Sequence, residues 1–133
     1  MTRIHRELTR TLWRGQNPYI SASSGPPDLQ GWGSGHRYLS ETIDQLRPSI
    51  IVEIGVWKGA SVIHMASHLR ALGIDGAVIA VDTWLGAWDH WINDDWFRQL
   101  ASADPERRLY SIFLKNVIDS AVEDEVVPLP LDS

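Results

Sequence analysis

Apolar residues in this chain fall into three short, nearly unbroken runs, separated by stretches in which they recur every three or four positions. The runs are Ile50 to Ile54, Ala77 to Val81 and Glu125 to Leu131. Runs this short, rich in β-branched residues and bounded by glycine, proline or aspartate, predict buried strands. Between the first two, Val62, Ile63, Met65, Ala66, Leu69 and Leu72 trace one face of a helix that Gly73 closes. Between the second and third, a helix is expected around Asp94 to Leu100. Another begins at Pro105 with Asp104 as its cap, and Leu109, Ile112, Phe113 and Val117 form its buried stripe. Upstream, Tyr38, Leu39, Ile43 and Leu46 recur at helical spacing from His36 until Pro48 stops the pattern. Residues Ile4 to Trp13 predict a short helix, and Asn17 to Gly35, rich in turn formers, reads as a surface loop.

Strand, helix, strand, helix, strand at this spacing predicts right-handed crossovers in a parallel sheet, the α/β, Rossmann-like, doubly wound arrangement. The first strand is apolar on both faces and is expected to be covered by helices on both sides. Pro128 and Pro130 lack N–H groups on one edge only, which leaves Val127, Leu129 and Leu131 free to pair on the other. That suits an outermost strand, the place of the third strand in the order 3-2-1-4-5. The chain divides into a helix and loop segment, residues 1–35, and one sheet-bearing unit, residues 36–133.

The first strand ends in Glu53-Ile54-Gly55-Val56-Trp57-Lys58-Gly59-Ala60-Ser61 and runs straight into a helix. The start of that helix offers unpaired N–H groups and the positive end of its dipole. Gly55 and Gly59 permit a sharp turn and close approach of a ligand, and Ser61 adds a hydroxyl. Asp82, at the carboxyl end of the second strand, is placed to accept hydrogen bonds from both hydroxyls of a ribose. Trp57 stands where a dinucleotide-binding turn has its second glycine, so a pyrophosphate fits poorly and a nicotinamide-dependent oxidoreductase is the weaker alternative. S-adenosylmethionine, which has no phosphate, fits better. Taken alone, the two glycines are a weak signal, better explained as a tight strand-to-helix connection; the combination with the acids, Ser61 and the amphipathic helix is more specific.

With twelve basic against seventeen acidic residues, a net charge of −5 and no cluster of Lys and Arg, nucleic acid is not an expected partner. No stretch approaches the roughly 18 to 20 apolar residues of a membrane span, and the N-terminus lacks a signal-peptide core. The absence of cysteine excludes thiolate metal sites and fits a cytoplasmic protein.

The motif from Glu53 to Ser61 and the second acid, Asp82, resemble the class I S-adenosylmethionine-dependent methyltransferases, specifically their catechol O-methyltransferase-like and cephalosporin-hydroxylase-like branch. The resemblance covers about residues 36 to 133. It implies that Gly55 and Gly59 line the methionine part of the cofactor, that Ser61 binds its carboxylate and that Asp82 binds the ribose, with Glu53 and Trp57 also among the cofactor-binding residues. It places Thr83 and Trp84 beside the adenine and makes Asp132 and Ser133 the start of an adenine-contacting turn. The implied activity is methyl transfer to a small-molecule acceptor. Members of that family have a seven-stranded sheet whose fourth strand brings metal-binding and acceptor-directed residues. This chain is therefore expected to be the cofactor-binding half of a domain, truncated before strand 4, with its catalytic residues unknown and any divalent-metal ligands beyond Ser133. A non-catalytic binding or assembly module is the alternative of a different class. In either case the first strand is left bare on one edge, and self-association through it is expected.

Other residues admit two readings. His64 and His68, at i and i+4, are a pair of metal ligands or a polar helix flank. Asp89, His90, Asp94 and Asp95 are a divalent-ion site, a general base centred on His90, or a solvated acidic loop. Trp84, Trp88, Trp91 and Trp96 pack the loop against the sheet or stack on a ligand, with Trp84 the first choice for stacking. Gly31 to Gly35 form a lid or a plain entry loop.

Overall fold

The computed structural model describes residues 1–102 and 104–132. Strands β1 (Ile50–Ile54), β2 (Ala77–Asp82) and β3 (Val126–Pro130) form one parallel sheet in the order β1-β2-β3. Val52 lies beside Ile79, and Ile79 beside Val127. Helices α1 (Arg3–Leu12) and α2 (Arg37–Leu46) precede the sheet, and α3 (Ala60–Ala71) links β1 to β2. Helices α4 (Trp88–Ile92), α5 (Asp94–Leu100) and α6 (Leu109–Asp119) lie between β2 and β3. This is the Rossmann-like α/β arrangement that the hydrophobic pattern predicts. Among the described residues no helix is long and apolar enough to cross a membrane.

The two-residue period of a strand puts Ile51, Val78, Ala80 and Val126 on one face. There they meet Val62, Ala66 and Leu69 of α3 and Phe113, Leu114 and Val117 of α6 in a single core. Both crossovers run in the same direction along the sheet, so right-handedness puts both helices on the same face. The opposite face is covered less than the sequence leads one to expect. Ile50, Val52 and Ile54 remain 45%, 55% and 65% exposed.

The outer edge of β3 is closed by more than its prolines. The Val126 carbonyl accepts from Tyr19 Oη at 2.8 Å and lies 3.1 Å from His5 Nε2, and the Pro128 carbonyl accepts from Trp13 Nε1 at 2.7 Å. Bonds from Val78 N to the Glu125 carbonyl and from Leu131 N to the Asp82 carbonyl extend the pairing with β2 over the whole predicted run. Edge satisfaction by side chains of α1 and the loop after it leaves no ladder for another strand to use there.

His64 and His68 turn out to dock helices. Their Nε2 atoms lie 2.9 Å from Ser40 Oγ and 2.9 Å from Asp44 Oδ1, so an i, i+4 pair on α3 meets an i, i+4 pair on α2. Two local expectations need correction. The loop after Asp82 contains the extra helix α4, and Pro105 opens only a 3-10 turn, Pro105–Arg107. Arg108 is extended at ψ 149° and breaks the pattern, so α6 starts afresh at Leu109, which is 2% exposed in the core.

Candidate functional site

The carboxyl ends of all three strands open onto one rim, where two cavities adjoin. The first, about 360 Å³, is lined by residues including Gly55, Trp57, Asp82, Thr83, His90 and Asp132. The second, about 270 Å³, is lined by residues including Trp32, Glu53, Gly55, Trp57, Ser61, His90 and Trp96. Gly55, Trp57 and His90 line both and form the partition. The spatial relation expected between the glycine loop and Asp82 is therefore present.

Asp82 fixes that loop. Its Oδ2 accepts from the N–H groups of Val56 at 2.7 Å and Trp57 at 3.0 Å, and its Oδ1 accepts from Trp84 N at 2.8 Å. A carboxylate has about four lone-pair directions. Three bonds leave room for one further donor, so the expectation that Asp82 takes both hydroxyls of a ribose is reduced to one. The bonds also hold two non-glycine residues in the left-handed region, Trp57 at φ 55° and Trp84 at φ 51°. Backbone strain of this kind survives only where the surroundings over-determine it.

The two glycines of the motif differ in role. Gly55, at φ 82°, borders both cavities, and a Cβ there would meet nothing within 4 Å. Gly59, at φ 88°, borders neither, and a Cβ there would sit 2.7 Å from Phe113 Cδ2. Gly59 therefore lets α6 approach the loop closely instead of making room for a ligand.

Ser61 Oγ donates to Glu53 Oε1 at 2.5 Å, while Glu53 Oε2 is buried without a partner. Burial pushes the Glu53 carboxyl above its ordinary range; the Ser61 bond opposes that shift and the charge of Asp82 adds to it. Trp84 is not at either cavity. Its ring is 5% exposed, packed 4.7 Å from Tyr110 and 4.8 Å from Phe113, with Nε1 donating to the Trp57 carbonyl. In this conformation it offers no surface to a base. Asp132 borders the first cavity, and Ser133 lies outside the described residues.

His90 stacks on Trp57 at 4.7 Å, and its Nδ1 accepts from Ala87 N at 2.8 Å. The neutral ring must then carry its proton on Nε2, so in this geometry it is a hydrogen-bond donor and not the general base that its residue type implies. Among the described residues no group of three or more His, Cys, Asp or Glu is placed to hold a metal ion.

Sequence reasoning did not find the strap that walls the second cavity. Asp28 binds Lys58 Nζ through both oxygens at 2.9 Å, and Asn116 Nδ2 donates to the carbonyls of Asp28 and Lys58. This ties the N-terminal loop to the glycine turn and brings Gln30, Gly31, Trp32 and Ser34 to the cavity. The only signal was the run from Gly31 to Gly35. Its contacts are long-range and cannot be read from spacing.

A family model described as a methyltransferase domain matches residues 52–126, more than half of the chain, and spans the glycine loop, Asp82 and the strap's anchor Asn116. Neither a curated protein nor a solved structure matches the chain. The chain belongs to the methyltransferase domain family.

Proposed function

We propose that this chain binds S-adenosylmethionine across the two cavities and serves methyl transfer to a small-molecule acceptor. The observation that carries the reading is the division of the rim at Gly55, Trp57 and His90, with Asp82 on one side and Glu53 and Ser61 on the other. A ligand with a ribose at one end and an amino acid at the other matches that division. Asp82 has one acceptor direction left for a ribose hydroxyl. Glu53 Oε2, buried and unpartnered, is the acceptor that an ammonium group would satisfy. The N–H groups at the start of α3 are donors for a carboxylate, while the Ser61 hydroxyl proton is committed to Glu53. The open space at Gly55 lets the ligand pass along the main chain from one cavity to the other.

When bound, the cofactor supplies an electrophilic methyl group. The chain's own part is positional. The Asp82 bonds hold the loop rigid, the strap from Asp28 to Ser34 limits access of water, and His90, its Nδ1 taken by Ala87 N, has Nε2–H as its donor. The bent, Trp57-blocked loop disfavours a dinucleotide.

Calorimetric titration tests this. S-adenosylhomocysteine is expected to bind one to one and a nicotinamide dinucleotide not to bind. Glu53→Gln is expected to weaken binding roughly tenfold, the worth of one lost charge-assisted hydrogen bond to the ligand's ammonium group. Binding of the dinucleotide alone would make the chain an oxidoreductase domain, and binding of neither would leave a non-catalytic module.

A further inference from the structure

A separate cavity of about 390 Å³ lies at the amino end of β3, away from the rim, and shares no lining residue with either rim cavity. Most of its wall comes from α1 and the loop after it, which lie outside the stretch matched by the family model. Glu123 and Asp124, just ahead of β3, close it. Among the described residues six buried side-chain polar atoms have no hydrogen-bond partner, and half of them belong to residues lining this cavity: His5 Nδ1, Thr9 Oγ1 and Glu123 Oε2. His5 is 3% exposed, and its Nε2 lies 3.1 Å from the Val126 carbonyl. A carbonyl only accepts, so the ring proton sits on Nε2 and Nδ1 is an acceptor. Burial lowers the imidazole pKa, against the opposing pull of the Val126 carbonyl and of Asp124 and Glu125, so the ring is neutral at pH 7. The charge of Glu123 is not balanced locally. No Lys or Arg lines the cavity, the Met1 ammonium is held by Asp124 at 2.8 Å, and Arg70, which feels the Glu123 charge, is bound to Glu125.

We propose that this cavity is a second ligand site, independent of the rim, which binds a small primary amine in its ammonium form. The three unpartnered atoms can all accept, one of them carries charge, and an ammonium group brings three N–H donors and a positive charge. Each buried acceptor left unmet is costly, so a ligand that satisfies them is favoured. A water molecule brings two donors and no charge, and leaves Glu123 unbalanced. A metal ion is a poorer match, because among the described residues no three His, Cys, Asp or Glu are placed to hold one. Pro18, Tyr19 and Ile118 line the rest of the space and suit a short alkyl chain. The volume falls within the range of about 300 to 1,000 Å³ typical of small-molecule sites. The exposed residues Gly15, Gln16 and Asn17 form its mouth.

Three probes separate the parts of the argument: n-butylamine brings donors and charge, butyltrimethylammonium brings charge without donors, and butan-1-ol brings no charge. Calorimetry at pH 7 is expected to show butylammonium bound roughly tenfold more tightly than either control, the scale of one charge-assisted hydrogen bond. Nitrogen NMR should show a shift at His5 Nδ1 on binding. Thr9→Val removes an unpartnered oxygen at nearly constant shape, and Glu123→Gln removes the charge. Each should weaken butylammonium roughly fivefold, with a melting temperature unchanged or raised. Glu53 at the rim is another buried acceptor, so Glu53→Gln is the control and should leave this affinity as it is. Equal affinity for the three probes, binding of none, or binding unchanged in both Thr9→Val and Glu123→Gln overturns the proposal. Loss of binding in Glu53→Gln alone places the amine at the rim and overturns it equally.

Discussion

Glu53 shows how much a single side chain at this rim is asked to tolerate. It is a carboxylate drawn out of water at the end of β1, with one oxygen held by Ser61 and the other unpartnered. Its folded pKa is raised above the ordinary 4.5, so the folded state holds the proton more tightly than the unfolded chain does. By linkage, this group costs nothing at low pH and destabilises the fold increasingly as pH rises from about 4.5 through the raised folded value. Glu53→Gln keeps an acceptor for Ser61 and removes the buried charge. The variant is expected to melt higher than the parent at pH 7, and the gain should vanish when both are measured near pH 4. A gain that is independent of pH would mean that packing, and not charge, is responsible. The same substitution should weaken any ligand that brings an ammonium group, so stability and binding should move in opposite directions. That Glu53 ends a strand was legible from its place after Ile51 and Val52. Its bond to Ser61 was not, because spacing alone does not say whether two polar groups face a ligand or each other.

At the scale of elements, the three strands and α2, α3 and α5 were legible because their periodicity and their glycine and proline stops agree. What escaped was local breakage and long-range fastening. The left-handed turn at Trp84, enforced by its own bond to Asp82, swings the indole into the core, and nothing in the order Asp82-Thr83-Trp84 announces it. The extended Arg108 divides what looks like one helix. The strap from Asp28 depends on Lys58, whose side chain is 4% exposed while that of Asp28 is 53% exposed. Truncating Asp28 strands a buried ammonium. Removing one member of a buried pair costs about 3 to 5 kcal/mol, and the exposure of Asp28 brings the expected loss for Asp28→Ala down to about 2 kcal/mol. Adding Lys58→Met should recover most of that loss in urea unfolding, since an apolar residue of similar length suits the same space. A double variant no better than Asp28→Ala would show that Lys58 is not the stranded group. Because the strap carries Trp32 and Ser34, ligand affinity at the second cavity should fall in Asp28→Ala and stay low in the double variant.

The whole molecule is a sheet with two unlike edges, and that asymmetry has a consequence for association. Bonds from Ala77 N to the Ser49 carbonyl and from Gly55 N to the Val81 carbonyl show which residues of β1 face β2. By alternation, the N–H and C=O groups of Ile50, Val52 and Ile54 point to the open edge. Their side chains also make an exposed apolar row. A row of free backbone groups with an apolar face is a template for pairing with another strand. The edge of β3 cannot serve in the same way, since Pro128 and Pro130 lack donors and the carbonyls of Val126 and Pro128 are taken by His5, Tyr19 and Trp13. Association through strand edges therefore closes at two copies instead of propagating. Sedimentation velocity over a range of concentrations is expected to show a monomer–dimer equilibrium. Val52→Lys places a charge on the open edge at a residue already 55% exposed, so it should shift that equilibrium to monomer with little change in melting temperature. A parent that remains monomeric at all concentrations would show that the bare edge is tolerated in water. A Val52→Lys protein that dimerises as the parent does would place the contact away from β1 and from the apolar groove between α2 and β1 that Val52 helps to line.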